Sequence, residues 1–336
     1  MTSFSDPSYS ANNYLQFRPT YPTSFYNLLL DYHFQRGSYS KDEDQYVTNT
    51  PKLDKLLDLG CGPGEGSIPL LPHVNKKIVA NDMSPVMLEN VQQNYKLTVE
   101  TYAINADLKF SFLGGSADNI LQLLEEQERQ DHETHSTDDV GDFDMVISAE
   151  TVHWLKPTRF LDNISKLLKG DQLGTLAYFG YVDPVFVGFP EADAIYDEIV
   201  YESGMYLGPY WQMPGRARLR ALYRELNDLL LKDDRFTDTI VEYYDPSGKI
   251  EDGCVTDKSE LAKKMVIEKE MTIGDFLNYA KTFSAALKWA QANAGKGGVD
   301  DAFEVFEKKF ADKLGWTLDT KVKVSWKTVY AFARKV

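Results

Sequence analysis

Short apolar runs alternate with helix-forming segments over the first half of the chain. The apolar runs predict buried strands at 55–60, 77–82, 144–150 and 174–182, with a further strand inside 98–107. Apolar residues at helical spacing predict helices at 24–34, 84–95 and 158–170. Short buried strands that alternate with helices are typical of a mostly parallel sheet covered on both faces. The pattern therefore predicts an α/β fold.

The second half of the chain has a different pattern. Residues 183–238 are helical and aromatic, with no clear strand. After them we predict strands at 241–245 and 265–271, helices at 276–291 and 303–314, and a terminal strand or hairpin arm at 322–335. We expect three parts: a ligand-binding core with an N-terminal cap segment at 1–182, a helical lid insertion over the substrate at 183–238, and the completion of the core sheet with C-terminal helices at 239–336.

Two polar stretches interrupt these elements. The segment 37–51 is interpreted as a connector, and the segment 114–142 begins as a helix and ends as an acidic loop, which we expect to be a mobile insertion. His132 and His135 in that loop could suggest a metal site, but their spacing is not HExxH and no further ligand set accompanies them. We therefore expect no metal.

The charge of the chain narrows the classes of partner. The 336 residues include 36 Lys and Arg against 51 Asp and Glu, so the formal net charge is −15. Nucleic acids and anionic membrane surfaces attract clustered basic residues, and neither is an expected partner here. The net charge does not exclude a small anionic ligand, because such a ligand needs only a local positive pocket.

Cysteine usage and the N-terminal residues bear on the compartment. Cys61 and Cys254 lie far apart and make neither a disulfide framework nor a CxxC metal site, which favours a reducing compartment. The first residues lack a basic stretch followed by an apolar core, and no segment has the roughly 18 uninterrupted apolar residues of a membrane span. We expect a cytoplasmic monomer.

A glycine-rich turn follows the first predicted strand. The sequence LLDLGCGPGEG places Gly60, Gly62 and Gly64 there, and glycine permits the positive φ angles and close backbone approach of a ligand-binding turn. A dinucleotide-binding turn of the form GxGxxG would need a further glycine where Glu65 or Ser67 stands, so the turn does not fit that class. A plain tight turn is the alternative interpretation.

The GxGxG spacing after Asp58 resembles the binding loop of class I S-adenosylmethionine-dependent methyltransferases. Asp82 ends the second predicted strand about 20 residues after Gly60, where an acidic side chain can accept hydrogen bonds from both ribose hydroxyls. An N-terminal helix cap is the alternative role for Asp82. The resemblance implies S-adenosylmethionine as the cofactor and a Rossmann-like fold, with a seven-stranded, mostly parallel sheet that contains one antiparallel strand.

The same resemblance implies a set of cofactor-binding residues near the ends of the strands. Asp107 would face the adenine amino group from the end of the third strand. Glu150, at the end of the fourth strand, would lie beside the sulfonium and its methyl group. The whole set is Asp58, Gly60, Cys61, Gly62, Gly64, Asp82, Met83, Asp107 and Glu150.

His153 and Trp154 follow the fourth predicted strand in the sequence TVHWL. They are the candidate catalytic residues, with His153 as a candidate base. The alternative is that this histidine packs beside the tryptophan and hydrogen-bonds a backbone group. An amino methyltransferase of nucleic acids would be expected to carry an Asp/Asn-Pro-Pro-Tyr type sequence here, and the chain has SAET instead.

Several stretches outside the glycine loop resemble the fungal trans-aconitate methyltransferases. They are YSANNYLQFRPTYP, SAETVHW, FGYVDPVF, LGPYWQMPGRARLR and YAKTFSAALKW. The resemblance implies methyl transfer to a carboxylate of a small polycarboxylic acid, most of all trans-aconitate, to give a monomethyl ester. A related fungal branch with very similar motifs confers resistance to the toxin cantharidin. Detoxification of a cantharidin-like molecule and cofactor binding without turnover are the alternatives.

The arginines of 207–220 are candidates for holding the acid, because a planar guanidinium matches a carboxylate. At helical spacing Arg216 and Arg220 share one face, and Arg218 points roughly the other way. Arg216 is the first candidate, Arg218 the second, and Arg220 is expected to pair with acids at the surface. Aromatic residues could wall the pocket, close over the cofactor or simply pack. The predicted substrate-binding set is Arg18, Tyr14, Tyr21, Tyr210, Trp211, Arg216 and Arg218.

Overall fold

The structure, a computed structural model, describes residues 16–35, 51–105, 107–131, 141–248, 259–294 and 301–336. The strands are β1 (Leu53–Leu59), β2 (Val74–Asp82), β3 (Lys109–Gly114), β4 (Met145–Ala149), β5 (Thr175–Phe186), β6 (Phe236–Tyr244), β7 (Ile267–Thr272) and β8 (Lys321–Lys335). The helices before β5 are α1 (Thr23–His33), α2 (Pro85–Tyr102), α3 (Ile120–Asp131) and α4 (Pro157–Leu167). The later helices are α5 (Pro190–Asp197), α6 (Gly215–Arg220), α7 (Arg224–Leu230), α8 (Ile273–Lys281), α9 (Ser284–Asn293) and α10 (Ala302–Leu314).

All eight strands form one sheet in the order β3-β2-β1-β4-β5-β8-β6, with β7 also paired to β8. The first five strands are parallel, and β8 is antiparallel to β5, β6 and β7. Strand β6 pairs with the second half of β8 and β7 with its first half, so the two share one edge of β8. Eight strands therefore occupy seven positions, and one strand runs against the rest. This confirms the predicted Rossmann-like class I methyltransferase fold.

Buried side chains cover both faces of this sheet. Ile78 and Val79 are consecutive residues of β2, and each belongs to a different hydrophobic cluster. Leu56 and Leu57 of β1 divide in the same way. Successive side chains of a strand point to opposite faces, so a strand buried on both faces needs an unbroken apolar run. That run is the pattern seen in the sequence.

The third predicted strand was misplaced. Residues up to Tyr102 belong to α2, whose N-terminus is capped by the Ser84 hydroxyl accepting from the Met87 amide and whose last turn ends at Ala103 with a φ of +48°. The actual strand β3 begins at Lys109. The β-branched residues of 98–101 favour a strand locally, but they continue a helix whose Val91 and Tyr95 are buried one turn apart.

Two further expectations need correction. The single helix expected over 276–291 is two helices, α8 and α9, which are interrupted at Thr282 and Phe283. The boundary set at 182/183 lies inside β5, which continues to Phe186 through a register shift between Val182 and Pro184. Strand β6 also begins before 238. Between these strands, residues 187–235 hold α5, α6, α7 and short turns, as expected for a helical insertion.

Some predicted features lie outside the described residues. They are the acidic loop at 132–140 with His132 and His135, most of the connector at 37–51, and Tyr14 in the N-terminal segment.

Candidate functional site

A cavity of about 1020 Å³, counted out to its open mouth, lies at the carboxyl ends of β1, β2 and β4. In open α/β sheets this edge is where ligands bind. Its walls come from the glycine turn after β1, the end of β2, the turn after β3 and the residues that follow β4. The residues used below are Tyr21, Gly60, Cys61, Gly62, Glu65, Gly66, Asp82, Met83, Ser116, Glu150, Thr151, Trp154 and Tyr181.

The glycine turn needs its glycines for two separate reasons. Gly60 and Gly62 have φ angles of +67° and +52°, which L side chains rarely adopt. A Cβ on Gly60 would also lie 2.2 Å from Cγ2 of Thr151, so the turn can pack against the end of β4 only without a side chain. A Cβ on Gly62 would meet nothing within 4 Å, which leaves its backbone open to the cavity.

Asp82 joins this turn to the end of β2. Its Oδ2 accepts from the Gly62 amide at 3.0 Å, and its Oδ1 accepts from the Ser84 amide at 2.8 Å. Burial raises the pKa of this carboxyl, and the amides of Ser84, Gly62 and Met83 oppose the rise. A carboxylate oxygen can accept more than one hydrogen bond, so both oxygens keep capacity for a diol on the ligand. The open turn and this carboxylate fit the ribose of S-adenosylmethionine.

The predicted cofactor residues divide into three groups. Six of them line the cavity: Gly60, Cys61, Gly62, Asp82, Met83 and Glu150. Asp58 and Gly64 lie behind the turn: Asp58 is fully buried, and a Cβ on Gly64 would meet Val91 at 2.9 Å. Asp107 is exposed in the turn before β3, at the opposite end of that strand from the cavity. Its predicted contact with adenine was therefore wrong, because the third strand had been misplaced.

The turn after β3 takes the place that had been given to Asp107. Gly115, Ser116 and Ala117 line the cavity there. Asn81 ties this turn to β2, since its side-chain amide donates to the carbonyls of Leu113 and Gly115 at 3.0 Å each. The signal for this turn was the GGS sequence after a short apolar run, which the sequence interpretation had assigned to the start of an insertion.

A second cavity, of about 650 Å³, adjoins the first. We call it the acid cavity. Glu150, Trp154 and Tyr181 line both cavities. The other acid-cavity residues used below are Arg18, His153, Asp183, Trp211, Arg216, Tyr279 and Phe283. Helix α6, the break between α8 and α9, and the segment before α1 therefore meet at one place next to the first cavity.

Arg216 lines the acid cavity, and it already has an acidic partner. Its Nη2 donates to Oδ1 of Asp183 at 2.9 Å, and Nε of Arg220 donates to Oδ2 of the same carboxylate at 2.8 Å. Tyr201 also donates its hydroxyl to Asp183. Burial opposes the ionisation of Asp183, but the two guanidinium groups outweigh it and hold the pKa of the carboxyl below its usual value. One negative charge is thus shared by two positive ones.

The irregularity in β5 explains how Asp183 reaches these arginines. Its φ is +34°, and it is the extra residue where the pairing with β8 shifts between Val182 and Pro184. A bulge of this kind re-aims one side chain of a strand, and such bulges are frequent next to active sites. The sequence interpretation missed this residue, although the acid in FGYVDPVF directly after an apolar run was a usable signal.

Arg18 lines the acid cavity from another direction. Its Nε donates to the Thr282 hydroxyl at 2.9 Å and its Nη2 to the Thr282 carbonyl at 3.2 Å. Its guanidinium carbon lies 5.5 Å from the ring centroids of both Tyr279 and Phe283. The break between α8 and α9 therefore forms the seat for this arginine.

The remaining predicted substrate residues have different surroundings. Trp211 walls the acid cavity, with its centroid 4.1 Å from the guanidinium carbon of Arg216. Tyr21 lines the first cavity and packs edge-on against Phe179. Tyr210 packs against the hydrophobic core and lines neither cavity.

Arg218 points away from the acid cavity. It donates to the Leu155 carbonyl at 3.1 Å and pairs with Glu225. Its predicted role as a substrate ligand was wrong, because at helical spacing it lies on the face opposite Arg216, whereas Arg220 shares the cluster of Asp183.

His153 and Trp154 form a short 3₁₀ turn after β4. His153 is buried, and its Nδ1 has no hydrogen-bond partner among the residues that the structure describes. Burial, with a smaller effect of Arg216, lowers the pKa of this imidazole to about 3. The ring is therefore neutral at pH 7 and a weak base. Trp154 is 38% exposed and packs on Gly215, where a Cβ would lie 2.4 Å from its ring.

Comparisons with known proteins agree with this geometry. Residues 57–173, about a third of the chain, match the family model described as a methyltransferase domain. The probable S-adenosylmethionine-dependent methyltransferase CRG1 of Saccharomyces cerevisiae is 27% identical over 99% of this chain and 98% of its own length. The protein is an S-adenosylmethionine-dependent methyltransferase. A solved structure, a putative type II methyltransferase from Anaeromyxobacter dehalogenans, shares the fold with a TM-score of 0.54 at 18% identity, over 94% of this chain and 97% of that one.

The residues that match the methyltransferase-domain family include only part of the wall of the acid cavity. The match covers β1 to α4, which include the glycine turn, Asp82 and the turn of His153. Arg18, Asp183 and Arg216 lie outside it. Within the described ranges, no helix is both long and apolar enough to span a membrane. The same ranges contain no group of three His, Cys, Asp or Glu side chains placed to hold a metal ion.

Proposed function

We propose that this methyltransferase transfers a methyl group to a carboxylate of a small polycarboxylic acid, trans-aconitate above all, and forms a monomethyl ester. The observation that carries this proposal is the acid cavity, which Arg18 and Arg216 line and which shares Glu150, Trp154 and Tyr181 with the wall of the cofactor cavity. Guanidinium groups bind carboxylates through paired donors in a fixed geometry. On the side of the cofactor cavity, the residues that support the proposal are Gly60, Gly62, Asp82 and Glu150.

The charge of the acid cavity suits an anion with more than one carboxylate. Arg18 and Arg216 line the cavity with two positive charges, and Asp183, which Arg216 shares with Arg220 outside the lining, supplies one negative charge. The lining therefore has an excess of one positive charge when Glu150 is protonated and none when it is ionised. Guanidinium groups in the wall favour a ligand that brings negative charge over a neutral one.

Methyl transfer to a carboxylate does not need a general base. The bound cofactor supplies an electrophilic methyl group. A carboxylic acid has an ordinary pKa of about 4, so the acceptor is already ionised at neutral pH. A neutral His153 whose pKa is about 3 is consistent with a wall residue and not with a base. The protein has to orient the acid and exclude water, and Trp154 and Tyr181 stand where both cavities meet.

A second candidate substrate is a rigid dicarboxylate such as the hydrolysed anhydride of a cantharidin-like toxin. The aromatic walls of the acid cavity favour it. Trp154, Trp211, Tyr279 and Phe283 surround the two arginines there, and flat apolar walls suit a compact hydrocarbon frame between two carboxylates.

The test is an assay of the purified protein with methyl-labelled S-adenosylmethionine and a panel of acids that includes trans-aconitate, isopropylmalate, hydrolysed cantharidin and a monocarboxylate of similar size. We expect a base-labile methyl ester on a polycarboxylate and none on the monocarboxylate. Faster turnover of the toxin than of any metabolite would replace the first candidate by the second. Cofactor binding without any ester on the whole panel would contradict both.

A further inference from the structure

Glu150 lies at the boundary between the two cavities. Only three residues among those described line both of them, and of Glu150, Trp154 and Tyr181 the first alone has a carboxyl group. A methyl group that passes from the cofactor to an acceptor has to cross this boundary, so the cofactor sulfur must lie close to it. The carboxyl of Glu150 would therefore lie near the one atom that differs in charge between S-adenosylmethionine and its product, S-adenosylhomocysteine.

The backbone fixes the position of this carboxyl. Glu150 has a φ of +52°, and its amide donates to the Phe179 carbonyl at 2.9 Å. Its Oε1 accepts a hydrogen bond from the Tyr181 amide. A Cβ on Gly180 would lie 2.6 Å from this oxygen and 2.3 Å from the Tyr223 hydroxyl, so the glycine leaves the room that both groups occupy. The carboxyl cannot move away from the boundary without losing these contacts.

Charged and titratable groups face Glu150 from all the surrounding elements. Arg18, Arg216, Tyr223 and Tyr279 interact with it electrostatically. The other titratable groups that line one or both cavities with it are Tyr21, Cys61, Glu65, Asp82, His153, Tyr181 and Asp183. Burial raises the pKa of Glu150 to about 7, against the opposing effects of the Tyr181 amide, Arg18 and Arg216. A group of this kind changes charge near neutral pH, and a cation placed beside it favours the charged form.

We propose that Glu150 is the residue by which the site distinguishes S-adenosylmethionine from S-adenosylhomocysteine. Beside the sulfonium cation its carboxylate is ionised, and its proton has gone to the solvent. Beside the neutral thioether it keeps or regains that proton. The inference rests on the proposed function only in that a methyl group crosses this boundary, and it does not depend on which acid accepts the methyl.

The test compares the binding of the two compounds by titration calorimetry from about pH 5.5 to about pH 8, a range that spans the pKa of Glu150, in pairs of buffers with different ionisation enthalpies. We expect S-adenosylmethionine to release more protons than S-adenosylhomocysteine. Its affinity relative to the product should rise with pH by up to about tenfold per unit, with a plateau above the pKa of the free carboxyl. Other titratable groups whose pKa changes equally on binding of either compound have no effect on the ratio of the two affinities.

Two matched variants test whether Glu150 causes the pH dependence of the affinity ratio. Glu150→Gln should make the affinity ratio independent of pH while S-adenosylhomocysteine still binds, which also shows that the site is folded. Glu65→Gln should keep the wild-type dependence, because Glu65 has a similarly raised pKa of about 7 but lines only the cofactor cavity.

Two results would overturn the inference: a ratio that does not change with pH in the wild-type protein, or an unchanged slope in Glu150→Gln. The wild-type measurement decides by itself if that variant fails to fold. If the affinity ratio rises with pH as expected but no acid is methylated, only the proposed substrate is overturned. Ester formation with a flat ratio would overturn only the role of Glu150.

Discussion

Two arginines face the acid cavity, and their partners give them different roles. Arg216 shares the buried carboxylate of Asp183 with Arg220, whereas Arg18 is held by the hydroxyl and carbonyl of Thr282. The side chains of Arg216 and Asp183 are only 12% and 9% exposed. Arg216 therefore both shapes the cavity and stabilises the insertion, while Arg18 is positioned by the break between α8 and α9 and acts electrostatically on Glu65 and Glu150.

At the scale of the residue, Arg18→Ala should raise the KM for the acid by about tenfold or more and leave cofactor affinity nearly unchanged. Loss of one charge-assisted contact of roughly 1.5–3 kcal/mol motivates this size. Steady-state kinetics with the active acid and calorimetry with the cofactor provide the two values. Arg218→Ala is the matched control, since Arg218 does not line the acid cavity and is bonded to the Leu155 carbonyl and Glu225. Equal losses in both variants would show a general effect of removing surface charge.

Asp183→Asn should reduce the free energy of unfolding by about 3 kcal/mol or more, because two guanidinium groups lose their buried anion. Urea unfolding measures this change. Asp197→Asn serves as control: that carboxylate is 46% exposed and lies 3.6 Å from Arg220, so we expect a change below about 1 kcal/mol. Similar losses in the two variants would mean that the buried network is not what stabilises this region.

At the scale of the element, the break between α8 and α9 decides where Arg18 lies. Thr282 donates its hydroxyl to the Tyr279 carbonyl at 2.6 Å and accepts from Arg18 with the same oxygen. One threonine thus ends a helix and positions a charge. In a continuous helix, as the sequence suggested, the Thr282 carbonyl would accept an intrahelical hydrogen bond and could not accept from Arg18 in the same way.

Thr282→Val should therefore raise the KM for the acid several-fold with little change in kcat, because it removes the acceptor of Arg18 and keeps the side-chain shape. Thr282→Ser keeps the hydroxyl and should restore the wild-type KM. The pair is compared by steady-state kinetics, with thermal unfolding to show that both are folded. Failure of the serine variant to restore the KM would point to packing of the methyl group as the cause.

At the scale of the whole molecule, three carboxyls near the glycine turn have a raised pKa. Burial moves the pKa values of Asp58, Glu65 and Glu150 to about 7, far above those of an unfolded chain. Between the unfolded and the folded pKa the folded protein binds more protons, so its stability falls as pH rises through this window. Their contribution is complete below the unfolded pKa of about 4 and is lost near pH 7.

The protein without cofactor should therefore be more stable at pH 5 than at pH 7.5, by on the order of 1 kcal/mol for each of these groups. Urea unfolding across this range gives the slope. Glu65→Gln should flatten the slope by about one group's share, and Glu268→Gln, at an exposed ion pair on β7, should leave it unchanged. Constant stability over the range would contradict the raised pKa values.

The order of the elements and the cofactor turn could be predicted from the sequence, because both depend on local patterns. Strands buried on two faces need unbroken apolar runs, and the turn after β1 needs glycines at 60 and 62 for their positive φ angles. Asp82 follows from its place at the end of such a strand. The misplaced third strand shows the limit, since residues 98–101 suit either a strand or the end of α2.

The acid cavity, in contrast, was decided by tertiary structure. The sequence by itself determined that arginines were available near 216 and 18, and that 216 and 218 would face opposite ways on a helix. Only the fold brings the segment before α1, the bulge in β5, helix α6 and the break before α9 to one boundary with the cofactor cavity. The physical reason is that charge pairing acts across space: whether an arginine meets Asp183, Thr282 or solvent depends on contacts between residues far apart in the chain.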